Sequence, residues 1–280
     1  MERPRSLPPD PSREFTIIDP EIYATKKALI DRLNDTLRRQ PADERDLLFF
    51  VHGYNTSTTD AALMLAQFAH DSGFKGIPVL FSWASAGQTA KYVYDLNSAL
   101  IAREKVAEVG ALLSQTNANG YDLFAHSMGT LLTMEGLVQR ASAGRLNEAG
   151  RLKNLVLASP DIDLDLFRSQ LRQLGQNKPD NFFVLISADD RALRFSRLIA
   201  GGVPRVGAAN TEELAELGVV VVDLTDVDDK TSLNQSKFVS SPEIVQILGQ
   251  GLNRVGQFQL DNENGILRTL LLGASAEVVF

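Results

Sequence analysis

Tyr121-Asp122-Leu123-Phe124-Ala125-His126-Ser127-Met128-Gly129 is the stretch that decides how this chain folds. Residues 121–125 form a short apolar run of strand length, and after residue 127 Leu131, Leu132, Met134 and Val138 recur at helical spacing. A strand therefore runs into a helix through Ala-His-Ser-Met-Gly. A serine held in such a turn has its hydroxyl lifted clear of the sheet, and the strained backbone tolerates only small residues two positions to either side. Ala125 and Gly129 meet that demand. The free N–H groups and positive dipole end of the following helix suit a developing oxyanion. An earlier run ends in His52-Gly53-Tyr54-Asn55, so the backbone N–H groups of Met128 and Tyr54 are the candidate oxyanion donors.

The same alternation extends along the chain. Apolar runs fall at 46–51, 78–83, 121–125, 153–158, 181–187 and 218–224, apolar on successive rather than alternate positions, the mark of strands covered on both faces. Helical patterns separate them. Ser57 and Asp60 form a capping box ahead of Leu65, Phe68 and Ala69, with Gly73 at the stop. Residues 97–113 carry Leu100, Ile101, Val106, Val109 and Leu113, and Leu164, Phe167, Leu171 and Leu174 follow residue 163. Ser241 and Pro242 open a last helix running through Val245, Leu248 and Leu252. An early helix is expected over 20–39 with Asp19 as its cap. Six strand–helix repeats predict an α/β fold with a doubly wound, mostly parallel sheet and helices on both faces. The expected organisation is an N-terminal arm and helix over 1–45, with a possible edge strand at 14–18, one catalytic domain over 46–254, and a C-terminal extension over 255–280.

Composition narrows the chemistry. The absence of cysteine from all 280 residues removes thiolate nucleophiles, disulfides and sulfur-ligated metals. The three histidines, His52, His70 and His126, are too scattered for a zinc-ligand spacing. A net charge of −7 argues against nucleic acid as a partner, and no apolar run reaches the roughly 18 residues of a membrane span. Neither a G-x-G-x-x-G nor a P-loop motif is present, and serine rather than a dehalogenase-type aspartate sits at the turn. Asp161, Asp163 and Asp165 are spaced like calcium ligands, but no glycine stands at the sixth position and Arg172 takes the twelfth. The cluster Asp223, Asp226, Asp228 and Asp229 reads as a solvated loop. Asn55 and Asn234 head formal glycosylation sequons, read as chance. Residues 84–97, with Gly87, Tyr92 and Tyr94, read either as a roof over a pocket or as a loop entering a helix. The first ten residues lack the apolar core of a secretory signal, which leaves a cytoplasmic protein as given, or an exported one if an upstream signal has been removed.

The stretches F-F-V-H-G-Y-N-T-S at 49–57, V-L-F-S-W-A-S at 79–85, A-H-S-M-G-T at 125–130, L-A-S-P-D-I-D at 157–163 and D-R-A-L at 190–193 together carry a family resemblance. Over about residues 46–250 the chain resembles DUF900, a bacterial α/β-hydrolase family of unknown function. The resemblance implies the α/β-hydrolase fold, cleavage of carboxylic esters by a serine, here Ser127, and the chain order nucleophile, acid, histidine. The acid belongs just past the strand at 181–187. Asp190, which heads the D-R-A-L stretch, is preferred there to its neighbour Asp189, with Asp161 as a further candidate. Each also reads as an ordinary helix N-cap at a strand–helix junction.

The resemblance also marks what is missing. Where the family has a phrase like L-N-H-S, this chain has Leu233-Asn234-Gln235-Ser236, so Gln235 stands at the histidine position. A glutamine amide has negligible basicity and cannot shuttle the serine proton. Loss of the triad histidine costs on the order of 10⁶ in turnover in subtilisin. None of the three histidines substitutes readily: His52 reads as loop architecture, His126 as a structural neighbour of the turn, and His70 as a helix C-terminal cation. The expectation is a carboxylesterase-type serine hydrolase built on Ser127, Asp190 and position 235. It takes a small-molecule ester, requires no cofactor or metal, and is impaired by Gln235. The alternative is a non-catalytic relative that keeps the scaffold for binding. Oligomeric state is left open.

Overall fold

The computed structural model describes residues 8, 10, 14, 16–147, 150–179, 181–227, 237–253 and 277–279. Seven strands, β1 (Asp46–Val51), β2 (Ile77–Phe81), β3 (Gly120–His126), β4 (Leu152–Ala158), β5 (Asn181–Ile186), β6 (Val220–Asp223) and β7 (Glu277–Val279), form one sheet in the order β2-β1-β3-β4-β5-β6-β7. The first six are parallel, and β7 joins the β6 edge antiparallel. The helices are α1 (Lys26–Arg39), α2 (Thr58–Asp71), α3 (Tyr92–Leu113), α4 (Met128–Ser142), α5 (Leu164–Leu174), α6 (Arg191–Ile199), α7 (Thr211–Ala215), α8 (Lys237–Ser240) and α9 (Pro242–Asn253).

The strands are apolar at every position because both faces are covered. Leu47, Phe49 and Val51 of β1, with Leu123 and Ala125 of β3 and Leu155 and Leu157 of β4, face a core closed by α1, α3, α4 and α5. The alternate residues Leu48, Phe50, Phe124 and Val156 face a second core closed by α2, α8 and α9. Parallel pairing in the register Val51↔Ala125↔Leu157 brings the C-terminal ends of β1, β3 and β4 to one edge, where open α/β sheets keep their sites.

Local chemistry fixes several boundaries. Ser57 caps α2 by accepting the Asp60 N–H (3.1 Å), and Gly73 ends it at φ +65°, a left-handed conformation glycine adopts without a Cβ clash. Other boundaries depart from expectation. The first helix begins at Lys26, not 20, because Thr25 rather than Asp19 supplies the capping oxygen, to the Ala28 N–H (3.1 Å). The third begins five residues early, at Tyr92, because its first turn buries Tyr92 and Asp95. Thr16, Ile17 and Ile18 form no strand, and the two isoleucines are exposed. The expected weak helix after 255 lies outside the described residues, and Glu277–Val279 is instead the seventh strand.

Candidate active site

Ser127 sits between β3 and α4 at φ +52°, ψ −127°, a backbone state costly for any residue with a Cβ. The turn is over-determined by its neighbours. The Ser127 N–H donates to the Ala158 carbonyl (2.9 Å), and the Ser127 carbonyl accepts from the Thr130 N–H (2.9 Å), the Thr130 hydroxyl (2.6 Å) and the Asp161 N–H (3.4 Å). Two glycines permit the close approach of the loop after β1. A Cβ on Gly129 would lie 2.3 Å from the His52 carbonyl oxygen, and one on Gly53 would lie 2.8 Å from the Ser127 Cβ. Within that close packing Ser127 is only 1% exposed.

The loop carrying Tyr54 is held by a residue the sequence reading passed over. Asp95, in the first turn of α3 and fully buried, accepts hydrogen bonds from the Asn55 N–H (3.2 Å), the Ala86 N–H (2.8 Å) and the Ser85 hydroxyl (2.7 Å). Its only sequence signal is a lone acid inside the apolar run Tyr92-Val93-Tyr94-Asp95-Leu96. The Ser85 hydroxyl accepts from the Thr56 N–H (3.1 Å), and the Tyr54 hydroxyl donates to the Thr89 carbonyl. Residues 84–97 thus brace the Tyr54 loop. Tyr92 is buried, as a helix entry implies, whereas Tyr94 is exposed.

His52 is architectural in its contacts. It stacks on Trp83 (5.2 Å between centroids, 6° between planes) and accepts the Trp83 N–H at Nε2 (3.1 Å), while its Nδ1 donates to the Gly53 carbonyl (2.9 Å). Burial pushes its pKa down, so the ring is neutral with the proton on Nδ1. His126 is buried against Phe238 (4.8 Å), and His70 lies at the end of α2 beside Asp71 (2.9 Å).

The three candidate acids differ sharply. Asp190 is the N-cap of α6, one Oδ accepting the Leu193 N–H (3.0 Å), so its capping role is real. It is fully buried, and among the described residues Oδ2 has no hydrogen-bond partner. Burial pushes its carboxyl up to about 7, opposed by the Leu193 and Ala192 N–H groups and the nearby Ser159 hydroxyl. Burial would also raise Asp189, but the Lys237 ammonium (2.8 Å) and Ser187 hydroxyl outweigh it and draw that carboxyl below its usual value. Asp161 is spent on its own network, accepting from Tyr92 (2.9 Å) and Ser196 (2.7 Å) beside the Arg205 guanidinium (3.3 Å). Burial nonetheless raises its pKa.

Gln235 lies outside the described residues, as do Asp228, Asp229 and Asn234. The chain next to it is anchored. The buried Lys237 ammonium donates to Asp189 Oδ1 (2.8 Å) and to the carbonyls of Leu224 (2.8 Å) and Thr225 (2.9 Å), fastening the start of α8 to the loops after β5 and β6. No sequence motif announced it. Among the described residues no group of histidines and carboxylates could hold a metal ion: Asp163 caps α5, Asp165 pairs with Arg168 (2.8 Å), and Asp223 accepts from Thr225 (2.8 Å). An apolar cavity between α3 and α4, lined by Val106, Gly110, Tyr121, Leu137 and Leu152, lies toward the N-terminal ends of β3 and β4, away from Ser127.

Known proteins place the chain. No curated protein matches it in sequence. Among solved structures, an esterase of Pyrobaculum calidifontis is similar at 13% identity and a TM-score of 0.45, covering 82% of this chain and 93% of that one. A carboxyl esterase 2 of Tuber melanosporum is similar at 12% identity and a TM-score of 0.45, over 76% and 80%. The family described as an alpha/beta hydrolase of unknown function, DUF900, matches residues 25–251. With its parallel sheet, helices on both faces and strand–serine–helix turn, the chain belongs to the DUF900 family of α/β hydrolases.

Proposed function

We propose that this protein is a carboxylic ester hydrolase scaffold whose nucleophile is Ser127. The observation that carries the reading is the strained turn: a non-glycine residue at φ +52°, between a parallel strand and a helix, is retained against its backbone cost where a side chain must be aimed. Ser127 would attack the ester carbonyl and form an acyl-serine, releasing the alcohol. Water would then release the acid. The Met128 and Tyr54 N–H groups would hold the oxyanion, and Asp95, through Asn55, keeps the Tyr54 loop in place.

Asp190 is the acid we favour. One of its oxygens is fixed by the Leu193 N–H while the other is buried and has no partner among the described residues, the arrangement of a carboxylate that receives an imidazole N–H. Asp189 is already committed to Lys237, and Asp161 to Tyr92, Ser196 and Arg205. Position 235 would carry the base, and Gln235 leaves the chain nearly inert. That glutamine favours a second reading, a binding protein using the same scaffold.

The test is p-nitrophenyl ester hydrolysis by the chain and by Gln235→His, each with and without Ser127→Ala. Reversion should raise the rate by at least about 10³-fold and up to the order of 10⁶-fold, and Ser127→Ala should abolish the gain. If a folded Gln235→His variant is inert across acyl lengths, the esterase reading fails and the binding reading stands.

A further inference from the structure

We propose that α6 is a docking helix that lies on an anionic lipid surface. Its inner side is fixed beside the Ser127 turn: Leu193 packs at Pro160 and Gly207, and the Ser196 hydroxyl donates to Asp161 (2.7 Å), whose own N–H reaches the Ser127 carbonyl. The outer side is unusual for a surface helix. Leu198 is 77% exposed, and Phe195 and Ile199 are each 43% exposed. At about 100° per residue these three positions, spaced i, i+3 and i+4, form one continuous apolar sector.

Arg194 and Arg197 run along one flank of that sector, and Arg191 lies in line with it, one turn before Phe195. Arg191, Arg194 and Arg197 are all exposed, and the chain from 191 to 204 holds no acidic residue, in a protein whose net charge is −7. Arg194 donates to the Ala188 carbonyl (3.2 Å) and Arg197 to the Gly202 carbonyl (2.9 Å). The guanidinium groups of Arg194 and Arg197 are therefore held in place by carbonyls, with no carboxylate paired to either among the described residues. Like charges one turn apart on a helix repel, a cost that an anionic counter-surface removes.

A short exposed apolar sector flanked by cations suits a helix that sinks its apolar side chains to the headgroup boundary while its arginines meet lipid phosphates. A second copy of the chain fits less well, because a two-fold contact would press Arg194 and Arg197 against their own counterparts. A folded protein partner fits less well too, since three apolar side chains on a convex helix are a small patch beside the ~800 Å² each partner commonly buries. The orientation is surface-parallel, since no described helix is long and apolar enough to cross a membrane. Docked this way, the helix capped by Asp190 brings the Ser127 edge of the sheet to the lipid.

The test is co-sedimentation of the intact chain with sucrose-loaded vesicles of mixed phosphatidylcholine and phosphatidylglycerol, against vesicles of phosphatidylcholine alone. The chain should sediment with the anionic vesicles, weakly with the neutral ones, and less as salt rises. Replacing Arg194 and Arg197 by glutamine should weaken binding roughly 25-fold, at about fivefold per cation. Leu198→Ser, at a position too exposed to affect folding, should weaken it roughly tenfold. No binding to anionic vesicles, equal binding to both kinds, or variants that bind like the parent would overturn the proposal. So would a dimer that Leu198→Ser dissociates. Sedimentation needs no turnover, so its outcome is independent of whether Ser127 hydrolyses esters.

Discussion

Asp122, on the face of β3 toward α2 and α9, is a buried acid that catalysis does not need. The Asn154 side-chain amide donates to its Oδ1 (2.6 Å), and burial pushes its carboxyl up to about 7. Among the described residues its Oδ2 and the Asn154 Oδ1 are both buried without a partner, which a carboxyl O–H pointing at the amide oxygen would satisfy. The folded state therefore holds a proton that the unfolded chain, titrating near its ordinary 3.8, has released. This contribution is complete below about pH 4 and is lost as pH rises through 7, up to about 4 kcal/mol. Urea unfolding at acid and neutral pH should show that decline in the parent chain. Asp122→Asn should remove about half of it, leaving the comparable slope due to Asp190, and an unchanged slope would disprove the assignment. At the turn itself, Gly129→Ala places a methyl 2.3 Å from the His52 carbonyl oxygen. Backbone must move to admit it, so thermal unfolding should show a loss of about 3 kcal/mol, and a loss below about 0.5 would contradict the packing described.

Among the elements, the legibility of the sequence followed burial. β1 was readable to the residue because an unbroken apolar run of strand length belongs to a strand covered on both faces, and the Ser127 turn because only small residues fit at 125 and 129. The start of α1 was not: Asp19 and Thr25 are equally good caps in isolation, and choosing between them requires the fold. α6 escaped because its apolar residues face outward, so no inward stripe marks it. The capping role of Asp190 was foreseen, but the burial of its second oxygen, without a partner among the described residues, arises only in three dimensions. Asp95 and Lys237 join segments distant in sequence, and spacing along a chain carries no trace of such contacts. Asp95 gives the prediction proper to this scale. Asp95→Ala removes the acceptor of two part-buried N–H groups, those of Asn55 and Ala86, and should cost roughly 1–3 kcal/mol in stability. In the Gln235→His background it should lower kcat more than it raises KM, since it loosens an oxyanion donor. The opposite split would assign the Tyr54 loop to substrate binding.

At the scale of the whole molecule, two cores clamp one sheet, and the loops at its C-terminal edge are tied together by buried charges. The β6 edge is closed by β7, the last described element. Removing residues 277–280 should leave the unpaired edge of β6 open to other strands, and light scattering should show association beyond that of the intact chain. Unchanged scattering would mean the edge is protected in another way. The central claim concerns a single oxygen in this frame, and covalent trapping addresses it directly. Gln235→His, incubated with diethyl p-nitrophenyl phosphate and digested, should yield one diethylphosphoryl adduct per chain, on the peptide containing Ser127. An adduct on any other residue, or none while the variant remains folded, would contradict the account.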